Sequence, residues 1–300
     1  MATTVIEQTR FNVYGPAQVG MRFGPYRVVA QLGAGGMAVV YSAVRESDRL
    51  TVALKVLPAS WGTASELRPR LQRESEVLQR IQHPGVIRVL EVGQVDEQLG
   101  GGTYLAMEWL PDALDRVLRA RFPRPLEPSS ALRITKGVAQ ALASVHAAGL
   151  IHRDVKPSNI LLRANGQPVL TDFGLVAALV DTMREQRLTP PDTLVGTADY
   201  LAPEVITGSA TVDGRVDIYA LGIVLYEMLT GYVPFADRDP FQTLQAHVNE
   251  PIPQLPASVP DGIGSIVRRA LEKDPRNRFA TAAEMVAAIE TEGSVPDDPS

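Results

Sequence analysis

The segment 151–161 concentrates side chains that could take part in chemistry. Five polar or charged residues lie there between apolar residues that we expect to be buried. Carboxylate, ammonium and imidazole groups serve proton transfer and charge stabilisation, and loops held at both ends by a core often carry function. The alternative is a polar turn between two strands, with the proline and serine at 157 and 158 as ordinary turn residues. The five residues are His152, Arg153, Asp154, Lys156 and Asn159.

A glycine-rich loop over residues 33–38 is a second candidate. Its main-chain amides could approach a phosphate closely. A tight hairpin also needs glycine, and glycines at this spacing could open a dinucleotide-binding unit. The dinucleotide interpretation requires a helix next, but the strand-favouring residues Val39, Val40 and Tyr41 follow, and Lys55 lies where an acidic residue is expected.

Lys55 lies in an otherwise apolar strand, so its ammonium group needs a partner. A surface lysine that extends into solvent is the alternative. Over residues 66–81 the leucines recur at helical spacing, and Glu74 falls in the same stripe. A carboxylate on the buried face of a helix needs a cation. The pattern therefore predicts an ion pair between Lys55 and Glu74.

Two further motifs follow the central segment. Asp172-Phe173-Gly174 comes after a predicted strand at 168–171 and could be a simple turn. Residues 175–200 carry no sustained periodicity, and long segments of this kind inside a compact domain are usually functional or disordered. Ala202-Pro203-Glu204 then restores a structured pattern, and Asp217 leads into an apolar helix that ends at Gly231.

The elements that must position these motifs fall into two halves. Short β-branched runs predict strands in the first half, and apolar residues at helical spacing predict helices in the second. Pro111 cannot extend a strand ladder, so we place a connector there. The predicted strands are 26–32, 39–44, 51–57, 86–92 and 103–107, with a helix at 66–81. The predicted helices of the second half are 114–120, a helix capped by Ser129 or Ser130 that stops at Gly149, 218–229, 241–248, 263–271 and 282–289.

This order predicts an α+β chain with a β-rich first lobe and a helical second lobe. The predicted divisions are an N-terminal extension at 1–20, a first lobe at 21–109, a second lobe at 110–291 and a tail or linker at 292–300. The first lobe is expected to be an antiparallel sheet with one main helix.

Composition excludes several functional classes. The chain has 300 residues and a net charge of −5, which argues against nucleic acid as a partner. It contains no cysteine, so thiolate chemistry and cysteine-bound metals are excluded, and its four histidines have no metal-ligand spacing. No apolar run resembles a secretory signal, and the segment 218–229 is too short for a bilayer.

Taken in order, these motifs resemble those of the protein kinases over residues 22–291. The motifs are a glycine-rich loop, a strand lysine, a helix glutamate, His-Arg-Asp followed by Asn, Asp-Phe-Gly and Ala-Pro-Glu. The Gly-Gly-Met loop and Val155-Lys156-Pro157 look most like the bacterial Hanks-type serine/threonine kinases. The resemblance implies a two-lobed kinase fold and transfer of the ATP γ-phosphoryl group to protein serine and threonine hydroxyls.

The resemblance also implies a role for each motif residue. Asp154 would orient the substrate hydroxyl and accept its proton, and Lys156 would neutralise the transferring group. Lys55, positioned by Glu74, would hold the α- and β-phosphates. Asn159 and Asp172 would bind Mg²⁺, with Mn²⁺ as a substitute. The residues expected around the nucleotide are Leu32, Gly33, Ala34, Gly35, Gly36, Val40, Ala53, Lys55, Glu108, Leu110, Leu161 and Asp172.

Other charged residues are expected to act through the scaffold. Glu204 would pair with Arg278, and Asp217 would anchor the catalytic loop. Arg153 would form a basic pocket for a phosphorylated residue of the segment 175–200, and Thr197 would contact Asp154 and Lys156. The candidate phosphorylation sites are Thr189 and Thr193.

The resemblance leaves two alternatives open, a pseudokinase on the same fold and a small-molecule kinase. Every catalytic position is occupied, which argues against the first, and the segment from Gly196 to Glu204 argues against the second. The expected partners are protein substrates, and a homodimer for autophosphorylation in trans is compatible with the resemblance. The expected location is the cytoplasm, either as a separate protein or as the cytoplasmic part of a longer membrane-anchored chain.

Overall fold

A computed structural model describes residues 19–34, 38–58, 75–99, 101–173, 198–209, 212–236 and 238–292. The chain divides into two compact units. The first contains the described residues up to Arg80 together with Ile87–Leu110, and the second contains Ile81–Val86 together with the described residues from Pro111 onward. Residues 81–86 join the second unit because Val86 forms a parallel bridge with Leu170, whose N–H donates to the Gly85 carbonyl.

The first unit is built on a six-stranded antiparallel sheet with the strand order β1-β2-β3-β4-β6-β5. Strands β1 to β4 pair consecutively, and so do β5 and β6, as antiparallel hairpins allow, whereas β4 pairs with β6. Outside the sheet, residues 75–80 are helical. The strands are β1 (Arg22–Phe23), β2 (Tyr26–Ala34), β3 (Val39–Arg45), β4 (Thr51–Pro58), β5 (Val89–Gln94) and β6 (Gly102–Glu108).

The core of the first unit lies on one face of this sheet. Val52, Leu54 and Val56 alternate along β4 and are fully buried, together with Tyr41 and Tyr104 of neighbouring strands. This period of two is what a strand with one buried face requires. The alternation places Lys55 on the opposite face of β4.

The predicted strands of the first unit are confirmed except at one position. The strand predicted at 86–92 begins only at Val89, so the prediction for residues 86–88 is wrong. Val86 bridges to Leu170 instead of pairing with β6. The preference of a β-branched residue for a strand does not specify which strand becomes its partner. Of the helix predicted at 66–81, residues 66–74 lie outside the described part.

The second unit is mainly helical and carries a small three-stranded sheet in the order β7-β8-β9. The strands are β7 (Asp112–Ala113), β8 (Ile160–Leu162) and β9 (Pro168–Leu170). The helices are α1 (Leu114–Arg121), α2 (Pro128–Ala147), α3 (Pro203–Ile206), α4 (Arg215–Thr230), α5 (Pro240–Asn249), α6 (Asp261–Ala270) and α7 (Ala282–Glu292).

Helix α4 forms the centre of the second unit. Its residues from Val216 to Tyr226 are all buried, and it contacts α2 and α6. It ends at Gly231, whose φ of 82° is the left-handed conformation that glycine adopts at helix ends. The prediction that this helix ends at Gly231 is confirmed.

Helix α2 begins earlier than predicted. Pro128 is its first residue and Glu127 precedes it, without a side-chain cap. The predicted cap at Ser129 or Ser130 is therefore wrong, because proline fits the first helical position, where its missing N–H costs nothing. Within the described residues, no helix combines the length and apolar character needed to span a bilayer.

Candidate active site

Asp217 of α4 holds the main chain of the segment 151–161. Its buried carboxylate accepts hydrogen bonds from the N–H groups of His152 at 2.8 Å and Arg153 at 2.7 Å. It also contacts Nε2 of His146 at 2.8 Å. A Cβ atom on Gly214 would lie 2.7 Å from the His146 ring, so glycine is needed for this approach. The expected anchoring role of Asp217 is confirmed.

Two motif residues adopt a backbone conformation that is rare for non-glycine residues. Arg153 and Asp172 both have φ of 63°. Such conformations cost energy and persist where the surroundings enforce them, often at functional sites. The Asp217 carboxylate supplies that constraint at Arg153, because its Oδ1 atom fixes the Arg153 N–H.

His152 links the segment 151–161 to the residues before Asp172, a role that the sequence pattern did not assign. Its buried imidazole accepts the Asp154 N–H at Nδ1, at 3.2 Å, so Nε2 carries the proton and donates to the Thr171 carbonyl at 2.8 Å. Burial lowers the pKa of His152, which keeps the ring neutral as this arrangement requires. Its ring packs on Phe173 at a centroid distance of 4.7 Å. In the sequence, the position of His152 at the start of the His-Arg-Asp motif is the feature that could have indicated this role.

Asp154, Lys156 and Asn159 form one hydrogen-bonded group. The Lys156 ammonium donates to Oδ1 of Asp154 at 2.9 Å and lies 2.8 Å from Oδ2. The Asn159 amide nitrogen donates to Oδ2 of Asp154 and to its main-chain carbonyl, both at 2.8 Å. Only 7% of Asp154 is exposed. The carboxylate is therefore held in a fixed orientation by two side chains, as proton acceptance at a defined point requires.

The chemistry of Asn159 fits a magnesium ligand. Both of its side-chain hydrogen bonds within the described residues are donated by the amide nitrogen, which leaves the amide oxygen for a metal. Mg²⁺ prefers oxygen ligands and is commonly held by one or two protein groups together with phosphates and water. The described residues contain no cluster of three histidine or acidic side chains for a metal, and a site completed by phosphates does not need one. Asp172 is the second predicted ligand.

In the first unit, the structure brings several predicted nucleotide residues onto adjacent strands. Val40 on β3 pairs with Gly33 on one side and with Lys55 on the other. Ala34 is paired with Val39. Only 7% of Lys55 is exposed, so the alternative of a lysine extending into solvent is wrong.

The other predicted nucleotide residues are distributed over both units. Ala53 pairs with Met107 and lies one residue from the pairing of Val52 with Glu108. The side chain of Glu108 accepts the Arg88 N–H at 3.1 Å. The remaining three are Leu32, which is 49% exposed, Leu110 at the end of the first unit, and Leu161 on β8.

Five predicted site residues lie outside the described part of the chain. They include the predicted partner of Lys55 and both candidate phosphorylation sites, so these assignments stay predictions. The expected contact from Thr197 also lies outside it. The five residues are Gly35, Gly36, Glu74, Thr189 and Thr193.

The expected pair between Glu204 and Arg278 is confirmed. The Arg278 guanidinium donates to both carboxylate oxygens, at 2.7 and 2.8 Å. The Arg278 side chain is fully buried and that of Glu204 is 9% exposed. The pair joins α3, which carries the Ala-Pro-Glu motif, to the turn before α7.

A cavity of about 570 Å³ lies beside the catalytic loop in the second unit. Lys156 and Ser158 line it together with Asp115, Tyr200 and Glu227. The Tyr200 hydroxyl donates to Glu227 at 2.7 Å. Burial raises the pKa of Glu227 to about 6. The cavity thus places polar and charged groups next to the lysine that contacts Asp154.

A family model described as protein kinase domain matches residues 26–288. Among curated relatives, the serine/threonine-protein kinase PknH of Mycobacterium bovis is 38% identical over 285 residues, which cover 94% of this chain and 46% of PknH. PknD of Mycobacterium tuberculosis is 36% identical over 275 residues, covering 90% of this chain and 40% of PknD. The chain thus spans less than half the length of these relatives.

Solved structures of kinase domains also match this chain. The kinase domain of Mycobacterium tuberculosis PknI matches with a TM-score of 0.68 and 31% identity, over 92% of this chain and 99% of that domain. A single-site mutant of the same domain gives a TM-score of 0.69. The predicted α+β kinase fold, with a β-rich and a helical part, is therefore confirmed.

Proposed function

The chain belongs to the protein kinase family, and on that premise we propose that it transfers the γ-phosphoryl group of ATP to serine and threonine hydroxyls of proteins. The observation that carries this proposal is the fixed Asp154 carboxylate, bonded to Lys156 and Asn159. Asp217 fixes the main chain just before it. Rigid support of this kind suits a group that must meet a substrate hydroxyl in one orientation.

In this proposal, Asp154 accepts the proton of the acceptor hydroxyl as its oxygen attacks the γ-phosphorus. The bond between that phosphorus and the β–γ bridging oxygen breaks, so ADP leaves. Lys156 lies against the same carboxylate and offsets negative charge that spreads over the transferring group. His152 stays neutral because it is buried, and it orients the loop without taking part in proton transfer.

Nucleotide binding would use the residues that the family resemblance implies. Lys55 would hold the α- and β-phosphates, while Asn159 and Asp172 would hold the metal. Magnesium, when bound, neutralises phosphate charge and supports the leaving group. The amide oxygen of Asn159 supports this assignment because its amide nitrogen is already committed to Asp154.

The acceptor type is part of the proposal. Lys156 two residues after Asp154 matches kinases for serine and threonine, and the curated relatives are named as serine/threonine kinases. The cavity beside Lys156 and Ser158 is the space that we propose for the substrate peptide. Phosphoamino-acid separation of labelled product should give phosphoserine and phosphothreonine, and phosphotyrosine as the main product would refute this assignment.

We further propose that phosphorylation of Thr189 or Thr193 activates the kinase through Arg153. The support is the constrained position of Arg153, whose main chain is fixed by Asp217 next to the catalytic carboxylate. A phosphorylated threonine bound to the Arg153 guanidinium through charge-assisted hydrogen bonds would link phosphorylation to the position of the catalytic carboxylate. We also propose that the protein acts in the cytoplasm and prefers Mg²⁺ to Mn²⁺. It would form a homodimer for autophosphorylation in trans.

Phosphate transfer from labelled ATP to a generic basic protein tests the proposed activity. The wild type should incorporate label with Mg²⁺ or Mn²⁺, and Asp154→Asn should lose nearly all of it, since the asparagine amide cannot accept the proton. Asp261→Asn is a matched control, because Asp261 is exposed at the start of α6 and should leave transfer unchanged. Wild-type transfer no higher than that of Asp154→Asn would favour the pseudokinase alternative.

A further inference from the structure

Among the residues that the structure describes, a fully buried histidine in α5 has one ring nitrogen in contact with a hydroxyl and one without a hydrogen-bond partner. Nδ1 of His247 lies 2.8 Å from the Tyr219 hydroxyl of α4. Nε2 has no hydrogen-bond partner within the described residues, and the side chain has no exposed surface. A buried polar atom without a partner is uncommon and costs free energy, so this nitrogen needs an explanation.

The surroundings of His247 keep its ring neutral. Burial and the nearby Lys273 lower the pKa of His247 to about 4, and burial raises the pKa of Tyr219. The ring packs edge-on against Tyr219 and Phe235, at centroid distances of 5.8 and 5.2 Å. A neutral imidazole carries one N–H. We assign that N–H to Nε2, with the Tyr219 hydroxyl donating to Nδ1.

The main chain of Asp199 is the acceptor available to this N–H. Against the larger lowering by burial, the Asp199 main chain acts to raise the pKa of His247, as a carbonyl close to a ring N–H does, and Nε2 has no hydrogen-bond partner within the described residues. Helix α5 contacts residues 198–200 and also α3. These elements include Tyr200, which lines the cavity beside Lys156, and the Glu204 pair with Arg278.

We propose that His247 is a positioning residue for the protein substrate, and this inference rests on the proposed kinase function. Its Nε2–H completes a hydrogen bond to the Asp199 carbonyl when residues 198–200 take up their substrate-binding position. Tyr219 orients the ring, so α4 and α5 together hold the segment that flanks the cavity. His247 does not touch the reacting atoms, and ATP binding does not depend on it.

Three variants separate this role from simple packing. His247→Phe keeps an aromatic ring between Tyr219 and Phe235 but removes both nitrogens. His247→Gln retains one acceptor and one donor. Tyr219→Phe removes only the hydroxyl that orients the ring, and it serves as the milder variant if His247→Phe folds poorly.

Kinetics are measured with a generic basic protein. Amide hydrogen exchange is followed on the same preparations with that protein bound, because the proposed hydrogen bond of His247 forms in the substrate-binding arrangement. His247→Phe should raise KM for the protein about tenfold, the value of one hydrogen bond, and leave KM for ATP within about twofold. Exchange should accelerate by a similar factor over residues 198–206 and stay unchanged over 151–161. His247→Gln should recover most of both effects, and Tyr219→Phe should show smaller changes of the same kind.

Unchanged exchange over 198–206 in His247→Phe would overturn the proposal. A rise in both KM values, or faster exchange over 151–161 as well, would also overturn it, because the histidine would then only fill space. A wild type without phosphate transfer would refute the proposed kinase function instead. The exchange data would still decide whether His247 holds residues 198–200.

Discussion

Removing the charge of Glu204 should destabilise the second unit strongly. The Arg278 guanidinium has five N–H groups, and all five have acceptors. Two go to the Glu204 carboxylate and three go to the main-chain carbonyls of Glu272, Arg215 and Lys273. Glu204→Gln keeps the size of the side chain but leaves a buried guanidinium without its counter-charge.

The expected loss follows from burial of both partners. Breaking one side of a buried ion pair costs about 3–5 kcal/mol. Glutamine still offers one oxygen to Arg278, so we expect the lower end, about 3 kcal/mol. Arg278→Met should cost more than Glu204→Gln, because it also removes the donors of three main-chain carbonyls.

Urea unfolding followed by far-ultraviolet circular dichroism measures this loss, since the helices of the second unit dominate the signal. With a slope of about 2–3 kcal/mol per molar urea, a loss of about 3 kcal/mol lowers the midpoint by roughly 1 M or more. Asp274→Asn is the matched control. Asp274 also forms a paired contact with an arginine, Arg276, but that arginine side chain is 83% exposed, and exposed pairs contribute little.

Equal midpoint shifts for Glu204→Gln and Asp274→Asn would refute this prediction. A smaller shift for Arg278→Met than for Glu204→Gln would also refute it. Either result would mean that the buried guanidinium finds other partners or water when the carboxylate charge is removed.

Asp217→Asn should lower kcat at least tenfold with a smaller change in KM for ATP, because asparagine has one side-chain oxygen where two carboxylate oxygens accept the two main-chain N–H groups of the loop; unchanged kcat would contradict the anchoring role. The pKa of His247 falls from its unfolded value near 6.5 to about 4, so its contribution to stability is present above pH 6.5 and is lost as the pH falls towards 4. The stability advantage of the wild type over His247→Gln should therefore shrink on acidification, by roughly 3 kcal/mol at 1.4 kcal/mol per pH unit, and a constant difference in urea midpoints would refute this. Replacing Thr189 and Thr193 together by alanine should reduce activity after preincubation with ATP, and mass mapping that finds phosphate only elsewhere would exclude both sites.

The sequence predicted the elements whose periodicity is complete. Helix α4 follows from an unbroken apolar run closed by Gly231, and strand β4 follows from alternating Val52, Leu54 and Val56. The motif residues were also predictable, because Asp154, Lys156 and Asn159 lie within six positions of one another. Local spacing was sufficient to identify both kinds of feature.

Features that depend on distant partners could not be predicted in this way. Val86 looks like part of a strand, but its partner Leu170 lies in the other half of the sequence. Strands β7 and β8 have two and three residues, which is too short for a period of two to be detected. The contact of Tyr219 with His247 joins residues 28 positions apart, and neither residue stands out in its own helix.

The polar residues of α4 explain why one helix matters to several parts of the second unit. In a helix that is buried along most of its length, each polar group must have a partner. Asp217 bonds the catalytic loop, Tyr219 bonds His247 of α5, and Glu227 accepts from Tyr200. An apolar replacement at any of the three would suit the core but leave its partner without a bond. The polar positions of α4 therefore serve mainly to fix neighbouring segments, and substitutions there should alter substrate handling more than helix formation.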